Sequence, residues 1–134
     1  LIAASPEELR SIDTDTSTFD LYVKDLSNSS TIAIGYDDVN TEVFQSMQEP
    51  QDYLNYLRDF YTSTQLWQFD EITTVNFGSE TYYKLHAYFM GGLGRQDFYC
   101  RKIDHYLMSI VVSSSYLAEP EVNALLNQNL TSVR

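Results

Sequence analysis

The stretch Met90-Gly91-Gly92-Leu93-Gly94-Arg95 has the residue types of a phosphate-binding loop. A dinucleotide-binding loop needs G-x-G-x-x-G between a strand and a helix, and a P-loop needs Gly-Lys followed by Ser or Thr. Here no third glycine follows Gly94 at that spacing, and the next residues, QDFYCRKI, have the pattern of a strand. Glycines between two strands supply the positive φ angles of a hairpin. The stretch therefore predicts a turn and not a phosphate site.

The other residues that could do chemistry are Cys100, His86 and His105. Cys100 is the only cysteine, which excludes an intrachain disulfide, and its apolar surroundings predict a buried, inert thiol. His86 lies within a predicted strand and His105 in a tight turn beside Asp104, so both are expected to be structural. The sequence therefore predicts no catalytic residue, cofactor or metal ligand, and it assigns no binding residue. An enzyme whose Cys100, His86, His105 and Asp104 converge only in space stays open as an alternative.

Acidic clusters give no metal or catalytic signature either. Asp13 and Asp15 are spaced like the start of an EF-hand loop, but Thr18 and Lys24 stand where the loop needs Gly and Glu. Asp37 and Asp38 are adjacent at a strand end, where neighbouring side chains point to opposite faces.

The composition limits the class of protein. The chain has 134 residues and a net charge of −11, and residues 1–70 hold 13 of its 19 acids but only 3 of its 8 bases. This length suits one domain with a hydrophobic core. The negative charge repels phosphate backbones and anionic lipid surfaces, so nucleic acid is not an expected partner. No segment approaches the roughly 18 apolar residues of a membrane helix.

Periodicity predicts the elements that would position these residues. Alternation over 19–25, with Phe19, Leu21 and Val23 on one face, and over 31–38, with Ile32, Ile34 and Tyr36 together, predicts a hairpin. A capping pattern predicts a short helix over 6–11. Further strands are expected at 68–77, 81–90, 96–103 and 106–114, with turns at 78–80 and 104–106.

Two further helical segments are predicted. Pro50 begins a helix over 50–64, after a short helical turn at 42–47, and Pro120 begins a closing helix. The apolar residues expected to face the sheet are Tyr53, Leu54, Leu57, Phe60 and Tyr61 in the first helix, and Val122, Leu125 and Leu126 in the second. The order of elements predicts an α+β domain with an antiparallel β-sheet of about six strands flanked by helices.

Several stretches resemble the PsbP-like α/β/α sandwich domains of uncharacterised secreted lipoproteins of Gram-positive bacteria. They are AASPEELRSI, FDLYVKDLSNSSTIAIGYDDV, DYLNYLRDFY, TTVNFGSETYYKL, QDFYCRKIDHYLMSIVV and EVNALLNQ. The chain departs from the pattern at Ser79 and His105, where the family has glycine. The resemblance implies one PsbP-like domain over 1–134 that lacks an N-terminal signal or anchor segment and the first strand or strands, of which Leu1-Ile2-Ala3 would be the remnant.

The resemblance also implies a function class. PsbP-like domains of plants assist the oxygen-evolving complex of photosystem II, and a Ran-binding nuclear-import factor shares the fold; both dock on other proteins. We therefore expect a non-enzymatic extracellular interaction domain, attached to the cell surface by a lipid anchor, with an unknown protein or cell-surface partner. Tyr22, Tyr82 or Tyr88 would form a contact patch, unless they are ordinary sheet-packing residues. A small-ligand carrier with an aromatic cleft between the sheet and the 50–64 helix is the other alternative.

Overall fold

The computed structural model describes residues 2–3, 17–25, 30–62, 67–89, 94–115 and 123–124. Eight strands form one sheet: β1 (Ile2–Ala3), β2 (Ser17–Asp25), β3 (Ser30–Asp38), β4 (Trp67–Phe69), β5 (Thr73–Phe77), β6 (Glu80–Phe89), β7 (Gly94–Ile103) and β8 (Tyr106–Ser115). One α-helix, α1 (Pro50–Thr62), follows a 3-10 helix at Glu42–Phe44. The strand order is β1-β2-β3-β8-β7-β6-β4, with β5 also paired to β6.

The predicted α+β class with an antiparallel sheet is confirmed. Every strand pair is antiparallel, and six strands of five to ten residues make up most of the sheet, with β1 and β4 as short additions. The predicted hairpin of β2 and β3 is present, and β1 (Ile2–Ala3) pairs with β2. The expected helix over 6–11 and most of the closing helix lie outside the described residues; Asn123 and Ala124 are helical.

Two strand predictions need correction. The strand expected over 68–77 is two strands, because residues 70–72 leave the ladder between β4 and β5. The backbone N–H of Asp70 still donates to the carbonyl of His86 in β6, at 3.0 Å, but three residues, 70–72, stand opposite only two of β6, 85–86. In β2, the register shifts between Phe19 and Leu21, which interrupts the regular alternation expected over 19–23.

The sheet has a hydrophobic cluster on each face. Alternation along β6, β7 and β8 directs residues such as Leu85, Phe98 and Leu107 towards α1, and Tyr82, Tyr99 and Ile110 to the far face. The far-face cluster consists of Phe77, Tyr82, Tyr99, Met108, Ile110 and Val112, with Ile32, Ile34 and Tyr36 of β3 packed against it. The face predicted for β3 is therefore confirmed.

The predicted turns lie where the sequence placed them. Gly78 joins β5 to β6 with a φ of 65°, and Asp104 joins β7 to β8 with a φ of 58°. Both angles belong to the left-handed region, which favours Gly and tolerates Asp. Residues 90–93 of the glycine-rich stretch lie outside the described part, but Phe89 pairs with Gly94 across antiparallel strands. The stretch thus joins two adjacent strands, as predicted, and leads into a strand and not a helix.

Candidate functional site

Cys100 and His86 lie on opposite faces of the sheet. Cys100 is fully buried beneath α1, with Leu54 and Leu107 in the same hydrophobic cluster. Burial raises the pKa of its thiol to about 12, although a hydrogen bond with Ser109, at 3.8 Å, acts in the other direction. The thiolate is the nucleophilic form of cysteine, so this thiol is unreactive at neutral pH. The expected burial of Cys100 is confirmed.

His105 lies far from both residues, at the β7–β8 turn. Its ring nitrogens are 3.5 Å from a carboxylate oxygen of Asp104 and 4.0 Å from one of Asp38, and its ring lies against Tyr106. The turn is seven positions beyond Asp97, the residue opposite His86, which corresponds to roughly 23 Å of strand. Among the four residues considered for a converged site, only Asp104 and His105 come together.

A polar cluster on the far face surrounds the buried carboxylate of Asp97. This side chain has no exposed surface, and it accepts hydrogen bonds from the guanidinium of Arg95 and pairs with Nδ1 of His86. Lys84 Nζ lies 3.9 Å from the carboxylate, and Arg95 Nε donates to Ser114 Oγ at 2.7 Å. A buried charge is tolerated only where it is paired and hydrogen-bonded, and here that condition is met.

Sequence reasoning missed this cluster. Arg95 and Asp97 alternate on one face of a strand, which is a local signal, but His86 and Ser114 join them only through pairing with β6 and β8. The arrangement joins three strands through charged groups. No group of three or more potential metal ligands forms among the described residues.

The structure describes the side chains of two of the tyrosines proposed as a contact patch, Tyr82 and Tyr88. Tyr82 is buried at 5% exposure in the far-face cluster, so the expectation that it is exposed is wrong. The hydroxyl of Tyr88 donates to the carboxylate of Asp70, and this bond raises the pKa of Tyr88. The side chain of Tyr22 lies outside the described set. For Tyr82, the alternative of ordinary sheet packing is the correct one.

The helix α1 begins at Pro50, as predicted, and its first turn is capped by neighbouring residues. The backbone N–H of Glu49 donates to the Asp52 carboxylate at 3.1 Å, and the N–H of Asp52 donates back to the Glu49 carbonyl at 3.0 Å. This reciprocal pair satisfies groups that the first turn leaves without helical partners. The start of α1 is therefore fixed by its own residues.

The inner side of α1 is packed against the sheet. Leu54 has no exposed surface, and Tyr53, Leu57 and Tyr61 pack into the same cluster. Burial, with Asp37 as a smaller cause, raises the pKa of Tyr53. These side chains occupy the space where an aromatic ligand cleft was expected between helix and sheet.

The outer side of α1 carries an aromatic pair. Tyr56 is 50% exposed and Phe60 is 57% exposed, and their rings stack at 6.4 Å with an interplanar angle of 25°. The prediction that Phe60 faces the sheet is wrong, because Leu57 and Tyr61 occupy the inward positions of that turn and leave Phe60 on the flank. Two large aromatic side chains are thus at least half exposed, on a helix whose other side packs against the sheet.

Two carboxylates accompany the pair. Asp52 and Asp59 are exposed, and together with Tyr56 they line a groove of about 430 Å³ whose other lining residues are Ser46, Met47 and Asn55. We call Asp52, Tyr56, Asp59 and Phe60 the aromatic–acidic face. The sequence analysis did not predict this face. A signal was present, however, because Tyr56 is not among the residues of the helix that were expected to face the sheet.

A series of ring contacts links this face to the interior. Phe60 meets Tyr61 at 5.4 Å, and Tyr61 meets Trp67 at 5.8 Å and Phe98 at 5.9 Å. Trp67 is the only tryptophan of the chain. Its fluorescence therefore reports on events close to the aromatic–acidic face.

A second groove, of about 530 Å³, lies on the other flank of α1 beside β5. Its lining residues are Gln51, Asn55, Arg58, Ile72, Thr73, Thr74 and Tyr83. The Arg58 guanidinium donates to the side-chain oxygen of Asn55. Only one lining residue is aromatic, so this groove is not the aromatic cleft expected of a carrier.

The comparisons with known proteins show the fold. The chain is similar to the solution structure of cyanobacterial PsbP (CyanoP) from Synechocystis sp. PCC 6803, with a TM-score of 0.60 over 98% of this chain and 78% of that chain. The two sequences are 11% identical. No protein-family model and no curated protein matches the chain. The chain therefore has a PsbP-like α+β fold, as predicted, and the likeness extends to the fold alone.

No helix in the described ranges is long and apolar enough to cross a membrane.

Proposed function

We propose that this chain is a non-enzymatic interaction domain that binds another protein through the aromatic–acidic face of α1. The single observation that carries the proposal is the stacked pair of Tyr56 and Phe60, each at least half exposed on a helix whose other side is packed. Interfaces are enriched in aromatic side chains that are already rigid before binding, because little conformational entropy is lost when they are covered.

Other residues of α1 make its contact with the sheet. Leu54 is fully buried, and Leu57 and Tyr61 complete the contact with the sheet. Tyr and Phe each bury about 150–250 Å² when covered, so a partner that covers both rings gains a substantial hydrophobic contribution. The residues of α1 that pack against the sheet are therefore different from the two exposed aromatic residues, and this difference supports a docking role for the exposed side of the helix.

The positions of the reactive side chains support the non-enzymatic part of the proposal. The Cys100 thiol is buried, with a pKa raised to about 12, and His86 lies on the opposite face of the sheet. Nucleophilic catalysis needs an activated nucleophile within hydrogen-bond reach of a base. The extracellular, lipid-anchored location stays a prediction from the sequence resemblance.

The test is selection of peptides from a random-peptide display library on the immobilised chain. Selection on the wild type would be followed by counter-selection on the double variant Tyr56→Ser/Phe60→Ser, which removes both rings from positions that face solvent. We expect peptides whose affinity falls at least about 30-fold in the double variant, equivalent to about 2 kcal/mol, the usual loss at an interface hot spot.

The matched control is Tyr106→Ser, which removes a ring of similar exposure, 38%, at the far β7–β8 turn. Selected peptides should bind this variant as they bind the wild type. Circular dichroism would check that all three proteins have the same fold. If no selected peptide distinguishes the double variant from the wild type, the proposal is wrong.

A further inference from the structure

We propose that the segment bound by the aromatic–acidic face is cationic and carries arginine. This inference rests on the proposed function, because it specifies the chemistry of the partner at the same face. The occupant is a protein segment whose guanidinium groups lie between the carboxylates of Asp52 and Asp59 and over the Tyr56 and Phe60 rings.

The charge of the face selects a cation. Asp52 and Asp59 are seven residues apart on α1, which places them roughly 10 Å apart along the helix axis. Both line the groove beside Tyr56, and none of the six described lining residues is basic. The nearest base on the helix, Arg58, lines the other groove and donates to Asn55. A cation at the face is therefore attracted from two sides.

The aromatic pair selects arginine among cations. A guanidinium is planar, stacks on aromatic rings and is more weakly hydrated than an ammonium group. Two nearly parallel rings, with centroids 6.4 Å apart and an interplanar angle of 25°, offer aromatic faces for such stacking. Lysine would satisfy the carboxylates but would gain less from the rings.

The negative charge disfavours three other occupants. At −11, the chain repels nucleic-acid phosphates and anionic lipid surfaces. A second copy of the chain would bring the same carboxylates towards each other across a two-fold axis, which is unfavourable. Long-range attraction instead favours a basic protein partner.

The experiment uses the peptides selected on the aromatic–acidic face. We expect arginine to be enriched in them relative to the starting library. In the tightest binder, replacement of each arginine by citrulline removes the charge and keeps the shape, and it should weaken binding at least about tenfold. Isothermal titration calorimetry, with Trp67 fluorescence as a second readout, would give the affinities at low and high salt; the arginine advantage should shrink at high salt.

The matched variants test the carboxylates. Asp59→Asn should weaken the arginine peptide about threefold and leave its citrulline counterpart unchanged. Asp59 is the better choice, because the Asp52 carboxylate also accepts the Glu49 backbone N–H. Asp104→Asn removes the same charge at the 85% exposed far turn and should not change binding.

The outcomes separate the two proposals. Peptides that depend on the rings but are neutral or acidic, or that ignore Asp59→Asn and citrulline, would overturn the arginine inference and leave the docking role standing. Peptides that need arginine but bind the Tyr56→Ser/Phe60→Ser variant as tightly as the wild type would show a charge attraction that does not involve the rings. This outcome would also overturn the arginine inference. The absence of any ring-dependent peptide would remove the docking role itself.

Discussion

Raising the pH from 8 to 11 should remove about 3 kcal/mol of stability through the Cys100 thiol alone. Burial beneath α1 raises the pKa of this thiol from 9.0 to about 12, with a smaller contribution in the same direction from Asp37. The unfolded chain thus loses the proton near pH 9, whereas the folded chain keeps it until about pH 12. The contribution is fully present below pH 9 and is lost between pH 9 and 12. At pH 11, two pH units at about 1.4 kcal/mol each give the stated loss.

Urea unfolding of the wild type and of Cys100→Ala, at pH values between 8 and 11, would measure this contribution. Tyr53, Tyr82 and Tyr88 also have raised pKa values and weaken both proteins over the same range. The difference between the two unfolding free energies therefore isolates the thiol. The variant carries a fixed cost for its smaller side chain, and that cost should be offset progressively as the pH rises.

A parallel pH dependence in the two proteins would refute the reasoning. It would mean that the folded and unfolded thiols titrate alike, and hence that Cys100 is open to solvent. Alkylation by iodoacetamide at pH 9 provides an independent check. In the folded chain, the Cys100 thiol should react only as fast as local or global unfolding exposes it. In urea, it should react at the rate of an ordinary exposed thiol.

Two further predictions concern stability at neutral pH. Asp97→Asn should destabilise the fold by about 3–5 kcal/mol in urea unfolding, because it leaves the buried Arg95 guanidinium without its counterion. Asp104→Asn should change stability by less than about 0.5 kcal/mol, and equal effects of the two variants would contradict the role given to the Asp97 cluster. Gly78→Ala should cost about 1–2 kcal/mol, because its φ of 65° is unfavourable for a residue with a Cβ atom. Ser79→Ala, at the exposed neighbouring position, is the control; a Gly78→Ala effect as small as the control's would show that the turn relaxes.

Local patterns were sufficient to predict the order of the main elements. Alternation placed Ile32 and Ile34 on one face, and these residues pair with Val112 and Ile110 in the central strands. Turn chemistry placed Gly78 and Asp104 between paired strands. In each case, the physical requirement lies within a few neighbouring residues.

Features that depend on contacts between strands could not be predicted in this way. The burial of Asp97 follows from partners on β6 and β7, and its neighbours are known only when the register is fixed. The break between β4 and β5 lies where three residues, 70–72, stand opposite only two residues of β6, 85–86, and this mismatch is known only when the register is fixed. Phe60 is exposed because Leu57 and Tyr61 occupy the positions that pack against the sheet. The sequence therefore predicted the fold correctly but did not predict the candidate site.

The division of one sheet edge into two short strands has a consequence for how the chain behaves among its own copies. Over residues 67–77, β6 is covered by a three-residue strand and a five-residue strand, with residues 70–72 between them. A long, straight edge strand would offer another chain a continuous row of backbone groups for pairing. Here, the interruption at residues 70–72 divides that row into two short segments. This side of the sheet is thereby protected against edge-to-edge aggregation, even though the central strands reach ten residues.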